Sequence, residues 1–150
     1  MSLKEKINED LKIAMKSGDK LRLETIRSIR ALILEFEKSG AGRELNADEE
    51  IKMLSTAAKK RKDSIEQFRN AGREELAKKE ESELEILQNY LPKQLSKEEI
   101  FNEIKNIAVR IGAKNKEDFP KLMPQAMMTL KGKADGKLVK SIVENILGIN

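Results

Sequence analysis

Histidine and cysteine are both absent from this chain. Without cysteine there are no disulfides and no thiolate chemistry. Without histidine, Ser/His and Cys/His nucleophilic pairs and histidine-bound zinc are excluded. Tryptophan is missing too, and aromatics make up 3% of the 150 residues. Proteins that read single-stranded RNA normally expose aromatic rings for bases to stack on, so base readout fits this composition poorly. No run reaches the ~18 apolar residues of a membrane span. The start, Met1-Ser-Leu-Lys-Glu5, lacks the apolar core of a secretory leader. The expected compartment is therefore the cytosol, with no membrane partner. Asp, Glu, Lys, Ser and one Tyr remain for chemistry. They form no recognisable catalytic constellation, and neither a cofactor nor a metal ion is expected. A binding protein is the better fit than an enzyme.

What is present is charge. Charged residues make up 37% of the chain against 39% hydrophobic, well above the ~25% charged of an average protein. Such a mix favours helices that bury narrow aliphatic stripes and carry charge elsewhere. Ser2 with Glu5 and Asn46 with Glu49 read as capping boxes. Asp19 can cap a second helix carrying Leu23, Ile26, Ile29, Ile33 and Phe36. The third helix is expected through Ile51, Leu54, Ala58, Ile65 and Phe68, and a fourth with Leu76, Leu84, Leu87 and Leu91 on one face. Pro92 ends that unit. Ser96 with Glu99 opens a fifth helix whose buried face is Ile100, Ile104, Ile107 and Ile111. A sixth is placed from about Pro120 to Leu130. Phe119 precedes a proline, which disfavours helical geometry there, and Pro124 should kink or shorten the element. Asp135 caps the seventh, with Val139, Ile142, Val143, Ile146 and Leu147. The expected fold is all-α: a four-helix bundle over residues 1–91, then a three-helix bundle over residues 92–150.

The net charge is +4, from 30 Lys and Arg against 26 Asp and Glu. Residues 1–91 cancel, with 19 of each sign, whereas Lys121 to Lys140 holds five lysines and one acid, Asp135. Positive charge gathered beside a helix start suits a polyanion. The candidate RNA-binding residues are Lys121, Lys131, Lys133, Gly136, Lys137 and Lys140. The lysines supply mobile charge, and Gly136 leaves room for a phosphate at the last helix. The competing reading is an ordinary helix corner with solubilising lysines. Elsewhere, Lys59-Lys-Arg-Lys62 reads as a solvated face pairing with Asp63 or Glu66, and Arg22, Arg27 and Arg30 as partners of acids in the same bundle. Glu80-Glu-Ser-Glu83 lies on one helix, which rarely supplies the convergent oxygens a metal needs. Met123, Met127 and Met128 read as a core stripe, and Tyr90-Leu91-Pro92 as packing between the two units.

Three segments carry a resemblance: Lys59-Lys-Arg-Lys-Asp-Ser-Ile-Glu-Gln-Phe-Arg-Asn-Ala-Gly-Arg73, Tyr90-Leu-Pro-Lys-Gln-Leu-Ser96 and Gly132-Lys-Ala-Asp-Gly-Lys137. In these, and over essentially its whole length, the chain resembles the GatB/YqeY family. The resemblance implies bundles of four and three helices. It also implies that the three-helix part is similar to the tail domain of the GatB subunit of aspartyl/glutamyl-tRNA amidotransferase, a domain that helps hold tRNA. Family members are often filed under carbon–nitrogen ligase activity with glutamine as amido-N-donor. That chemistry sits in other domains and subunits, and nothing here resembles them. The partners implied are a structured RNA, above all tRNA, or an amidotransferase or aminoacyl-tRNA synthetase that this chain would serve as an adaptor. The chain departs from the family at Pro120-Lys-Leu-Met123, where Gly-Lys-Val-Met is common, and at Lys133, where Arg is common. Lysine keeps the charge there but loses the bidentate fork.

Overall fold

Local capping signals set where most of the helices begin. In a computed structural model, in which residues 1–149 are described, seven α-helices and no strand are found among those residues. They are α1 (Leu3–Ser17), α2 (Lys20–Lys38), α3 (Ala47–Asn70), α4 (Glu74–Gln88), α5 (Lys97–Ile111), α6 (Phe119–Thr129) and α7 (Gly136–Ile146). The capping boxes at Ser2/Glu5, Asn46/Glu49 and Ser96/Glu99 all form, each satisfying two amides that the first turn leaves unpaired. Gly18 and Gly112 end α1 and α5 in the left-handed conformation, which glycine adopts at little cost.

Around Pro120 the structure departs from the sequence expectation. Phe119 is helical (φ −52°, ψ −48°) although a proline follows it. A 3-10 turn, Lys116–Asp118, leads directly into α6 and sets this geometry. Asn115 caps that turn, and Asp118 accepts the backbone N–H groups of Lys114 (2.8 Å) and Asn115 (3.3 Å). Those bonds, then the positive charges of Lys121 and Lys114, hold the Asp118 carboxyl below its usual range. Pro120 occupies the first turn, where its missing N–H costs nothing. Pro124 lies inside α6, and the helix runs on past it to Thr129.

The chain divides into two compact units, Met1–Pro92 and the remainder from Lys93. In the first, α1 packs on α2, α2 on α4, and α4 on α3. Its core draws on all four helices: Ile7 and Ala14, then Ile26 and Ile29, then Leu54 and Ala58, then Ile86 and Leu87. Tyr90 belongs to this unit, where it packs on the core and donates its hydroxyl to Asp10. Lys6 sits over its ring at 5.4 Å. In the second unit, α5, α6 and α7 enclose Ile100, Ile104, Leu122, Ala126, Val139 and Val143. Each of the Ile, Leu and Val side chains contributes roughly 1.5–3 kcal/mol on burial. The expected methionine stripe is only partly inside. Met123 packs on the core, but Met127 is 43% and Met128 74% exposed.

Candidate nucleic-acid interface

The turn between α6 and α7 is fixed from within. The Leu130 N–H donates to Ala126, and Leu130 itself is buried. Gly132 is left-handed (φ 75°), a conformation that side chains rarely tolerate. The segment leading into α5 then ties the turn's carbonyls inward. The Gln94 amide donates to the Gly132 carbonyl (2.7 Å), and the Leu95 N–H to the Lys133 carbonyl (2.9 Å). With its backbone tethered on the inner side, the turn leaves Lys131 and Lys133 exposed.

Lys137 and Lys140 are the second and fifth residues of α7, both exposed. Three residues apart, they lie on one face, about 60° from each other around the axis. Lys131, Lys133, Gly136, Lys137 and Lys140 thus share the corner, and Lys121 does not. Lys121 is the third residue of α6. About 13 Å of helix separates it from Leu130, and it neighbours Asp118 instead. Among the described residues, the side chains of Lys133, Lys137 and Lys140 have no carboxylate within ion-pair range. Within the first 91 residues, by contrast, ion pairs tie many of the charges together, from Lys4 to Glu83.

Asp135 has a local task. An Asp135 carboxylate oxygen accepts the Lys137 N–H at 3.2 Å, so the cap already occupies one amide of the first turn. A side chain at Gly136 would meet Met127 Cε at 3.4 Å, an ordinary contact with a flexible tip, so the packing of α6 on α7 does not require a glycine here.

Sequence reasoning missed Arg61. Instead of facing water with its neighbours, it reaches across to α4, bonding Glu80 (3.2 Å) and Glu83, and to Ser28 Oγ on α2 (3.2 Å). Glu83 is one of two buried polar residues among those described. These partners lie 19 to 33 positions away, beyond the reach of helix-spacing arguments. Glu80 and Glu83 are thus engaged by a guanidinium. Arg22 pairs with Asp19 at 3.8 Å, while Arg27 and Arg30 form no ion pair with a described residue.

The Yqey-like protein family model matches residues 4–147. The chain belongs to that family. It is 32% identical over 148 residues to "Altered inheritance of mitochondria protein 41, mitochondrial" of Pyrenophora tritici-repentis, covering 95% of this chain and 80% of that one. Similarity to proteins of the same name is more local: 40% over 85 residues in Lachancea thermotolerans and 36% over 84 residues in Kluyveromyces lactis. There it spans 57% and 56% of this Yqey-like chain, and 46% and 45%, a little under half, of those relatives. These names overturn the cytosolic expectation, since the relatives are mitochondrial by name. That expectation rested on a missing apolar leader and membrane-length run. Neither distinguishes the cytosol from an organelle interior, whose transit signals are amphipathic and basic rather than apolar. No helix of the described residues is long and apolar enough to cross a membrane.

Proposed function

We propose that this chain binds structured RNA, tRNA above all, through the corner between α6 and α7, without catalysing a reaction. One observation carries the reading. Lys133, Lys137 and Lys140 stand exposed at one turn with no carboxylate in range among the described residues, in the part of the chain that holds all the net charge. Lys131 adds a fourth ammonium from the same turn, and Gly136 a backbone amide at the start of α7. Lys121 belongs to the same interface only if the RNA spans the length of α6. Ammonium groups released from their own counterions gain affinity for a phosphate backbone by freeing the counterions of the RNA. The scarcity of aromatics directs this recognition to shape and phosphate rather than bases. In this reading residues 1–91 form a four-helix bundle, and residues 92–150 a three-helix bundle that acts as the tRNA-holding tail.

Filter binding or anisotropy with deacylated tRNA tests it. Lys133→Glu, Lys137→Glu and Lys140→Glu together should abolish binding while helicity and melting stay unchanged, because all three side chains are solvated. Wild-type affinity in the folded triple variant would refute the site. The second reading, an adaptor for an amidotransferase or aminoacyl-tRNA synthetase, has its support in exposed apolar side chains of the second unit, Val109 and Met128. A complex with such an enzyme that survives high salt and nuclease would favour it.

A further inference from the structure

The first unit leaves a furrow open between two of its helices. α2 and α3 both pack on α4, which lies beneath as a floor. Above it is a cavity of about 770 Å³ with α2 as one wall and α3 as the other. From α3 it is lined by residues 49, 52, 53, 56, 57, 60, 61 and 64, an unbroken stripe at helical spacing. From α2 it is lined by 28, 29, 32, 35 and 36, also one face, with Ser39 just past the helix end. Leu32, Phe36, Leu45, Met53 and Ala57 are only half-buried there. Two helices thus turn amphipathic faces toward a space that no described part of this unit fills.

Size and charge say what would fill it. From Glu49 to Ser64 the α3 wall runs about 22 Å. Spread over that length, the volume corresponds to a cross-section on the order of 35 Å². That is roughly a third to just under half the section of a helix about 10–12 Å across with its side chains. A helix lying with one face sunk into the furrow matches it. Several rim charges are already spent: Glu49 is held by Arg43, and Arg61 by Glu80 and Glu83. Those left without an ion pair among the described residues are Lys52 and Lys60 on the α3 wall and Glu35 on the α2 wall. The two lysines are eight residues apart, about 12 Å along one edge. A nucleic acid gains nothing from an apolar floor. The geometry points to an amphipathic helix of a partner protein as the occupant, its apolar stripe down, carboxylates two turns apart along α3 and a basic residue along α2. The charges also fix its direction, because reversing the helix would set acids against Glu35.

The test uses the full chain and two synthetic 18-residue helices with the same leucine stripe (positions i, i+3, i+4 and i+7). One has Glu on one flank and Lys on the other, and its control has Lys on both. Binding is followed by methyl NMR. The Glu/Lys helix should bind saturably, shift Met53, Ala57 and Leu32, and exceed the control by fivefold or more in affinity. Lys52→Glu with Lys60→Glu, both at exposed positions, should cancel that preference. A preference below fivefold, shifts centred outside the furrow, or shifts there on adding tRNA, decanoate or more of the chain itself in place of the helix would overturn the proposal. The outcome is separable from the RNA reading, since none of these residues lies at the α6–α7 corner.

Discussion

Arg61 shows how far one side chain can depart from its sequence context. It sits in a run of four basic residues, yet its guanidinium is mostly sheltered and joins three helices through Ser28, Glu80 and Glu83. Truncating it would strand Glu80 and leave the buried Glu83 with only Lys79, 4.0 Å away. Breaking a fully buried pair costs roughly 3–5 kcal/mol, and the residual exposure here lowers that, so Arg61→Ala should cost about 2–3 kcal/mol in urea unfolding. Its exposed neighbour Lys60→Ala should stay within about 0.5 kcal/mol. Equal effects would mean that the guanidinium contacts add nothing. Glu49 gives a second residue-scale prediction. Its carboxyl accepts from Arg43 and from the Asn46 N–H, and these bonds pull it down from the usual 4.5 to about 2. A depressed carboxyl stabilises the fold above its unfolded value and loses that contribution as pH falls through its folded one. The α3 start should therefore loosen between about pH 4.5 and 2. Carboxyl NMR should place the Glu49 midpoint near the lower figure, and Arg43→Gln should raise it.

At the scale of the element, α6 concentrates the departures from simple rules. Pro124 lacks the N–H that would bond the Pro120 carbonyl, and proline inside a helix costs up to about 3 kcal/mol relative to alanine. Pro124→Ala is expected to stabilise the second unit by about 1–3 kcal/mol, read as a shift of its unfolding midpoint. A neutral result would mean that the chain has already absorbed the defect. Gly136→Ala probes the other end of the corner. A β-carbon there meets only the flexible tip of Met127. The substitution should be neutral or stabilising by up to about 1 kcal/mol and should leave tRNA affinity unaltered, because the amide is retained. Why the helix pattern was legible while α6's start was not follows from range. Capping boxes, left-handed glycines and 3.6-residue stripes act within four residues, and Ser96, Glu99, Ile100 and Ile104 announce α5 unaided. Phe119 is held helical by the Asn115 and Asp118 turn before it, which outweighs the proline after it. Arg61 and the α2–α3 furrow depend on which helices become neighbours, and no local spacing encodes that. The corner lysines were legible as a charge excess. The lack of ion-pair partners at Lys133, Lys137 and Lys140 among the described residues, and the distance of Lys121 from them, required the fold.

Over the whole molecule, charge is partitioned rather than spread. The first 91 residues carry equal numbers of each sign, several of them locked in pairs such as Lys4–Glu37 at 2.5 Å and Arg43–Glu49 at 2.5 Å. Lys133, Lys137 and Lys140 keep their charge available, with no ion pair among the described residues. A polyanion therefore meets a first unit with no net attraction and a second with a local surplus. Screening acts on this difference, because contacts to phosphate trade against free salt. If Lys133, Lys137 and Lys140 each meet one phosphate, the logarithm of tRNA affinity should fall against the logarithm of salt with a slope of roughly −2 to −3. Replacing one of them with Gln should make that slope shallower by close to one. Lys59→Gln with Lys60→Gln should leave it unchanged, although those substitutions remove more charge. A slope that responds equally to both sets would mean that RNA senses only the summed charge of the chain, and the corner would then have no special part in holding it.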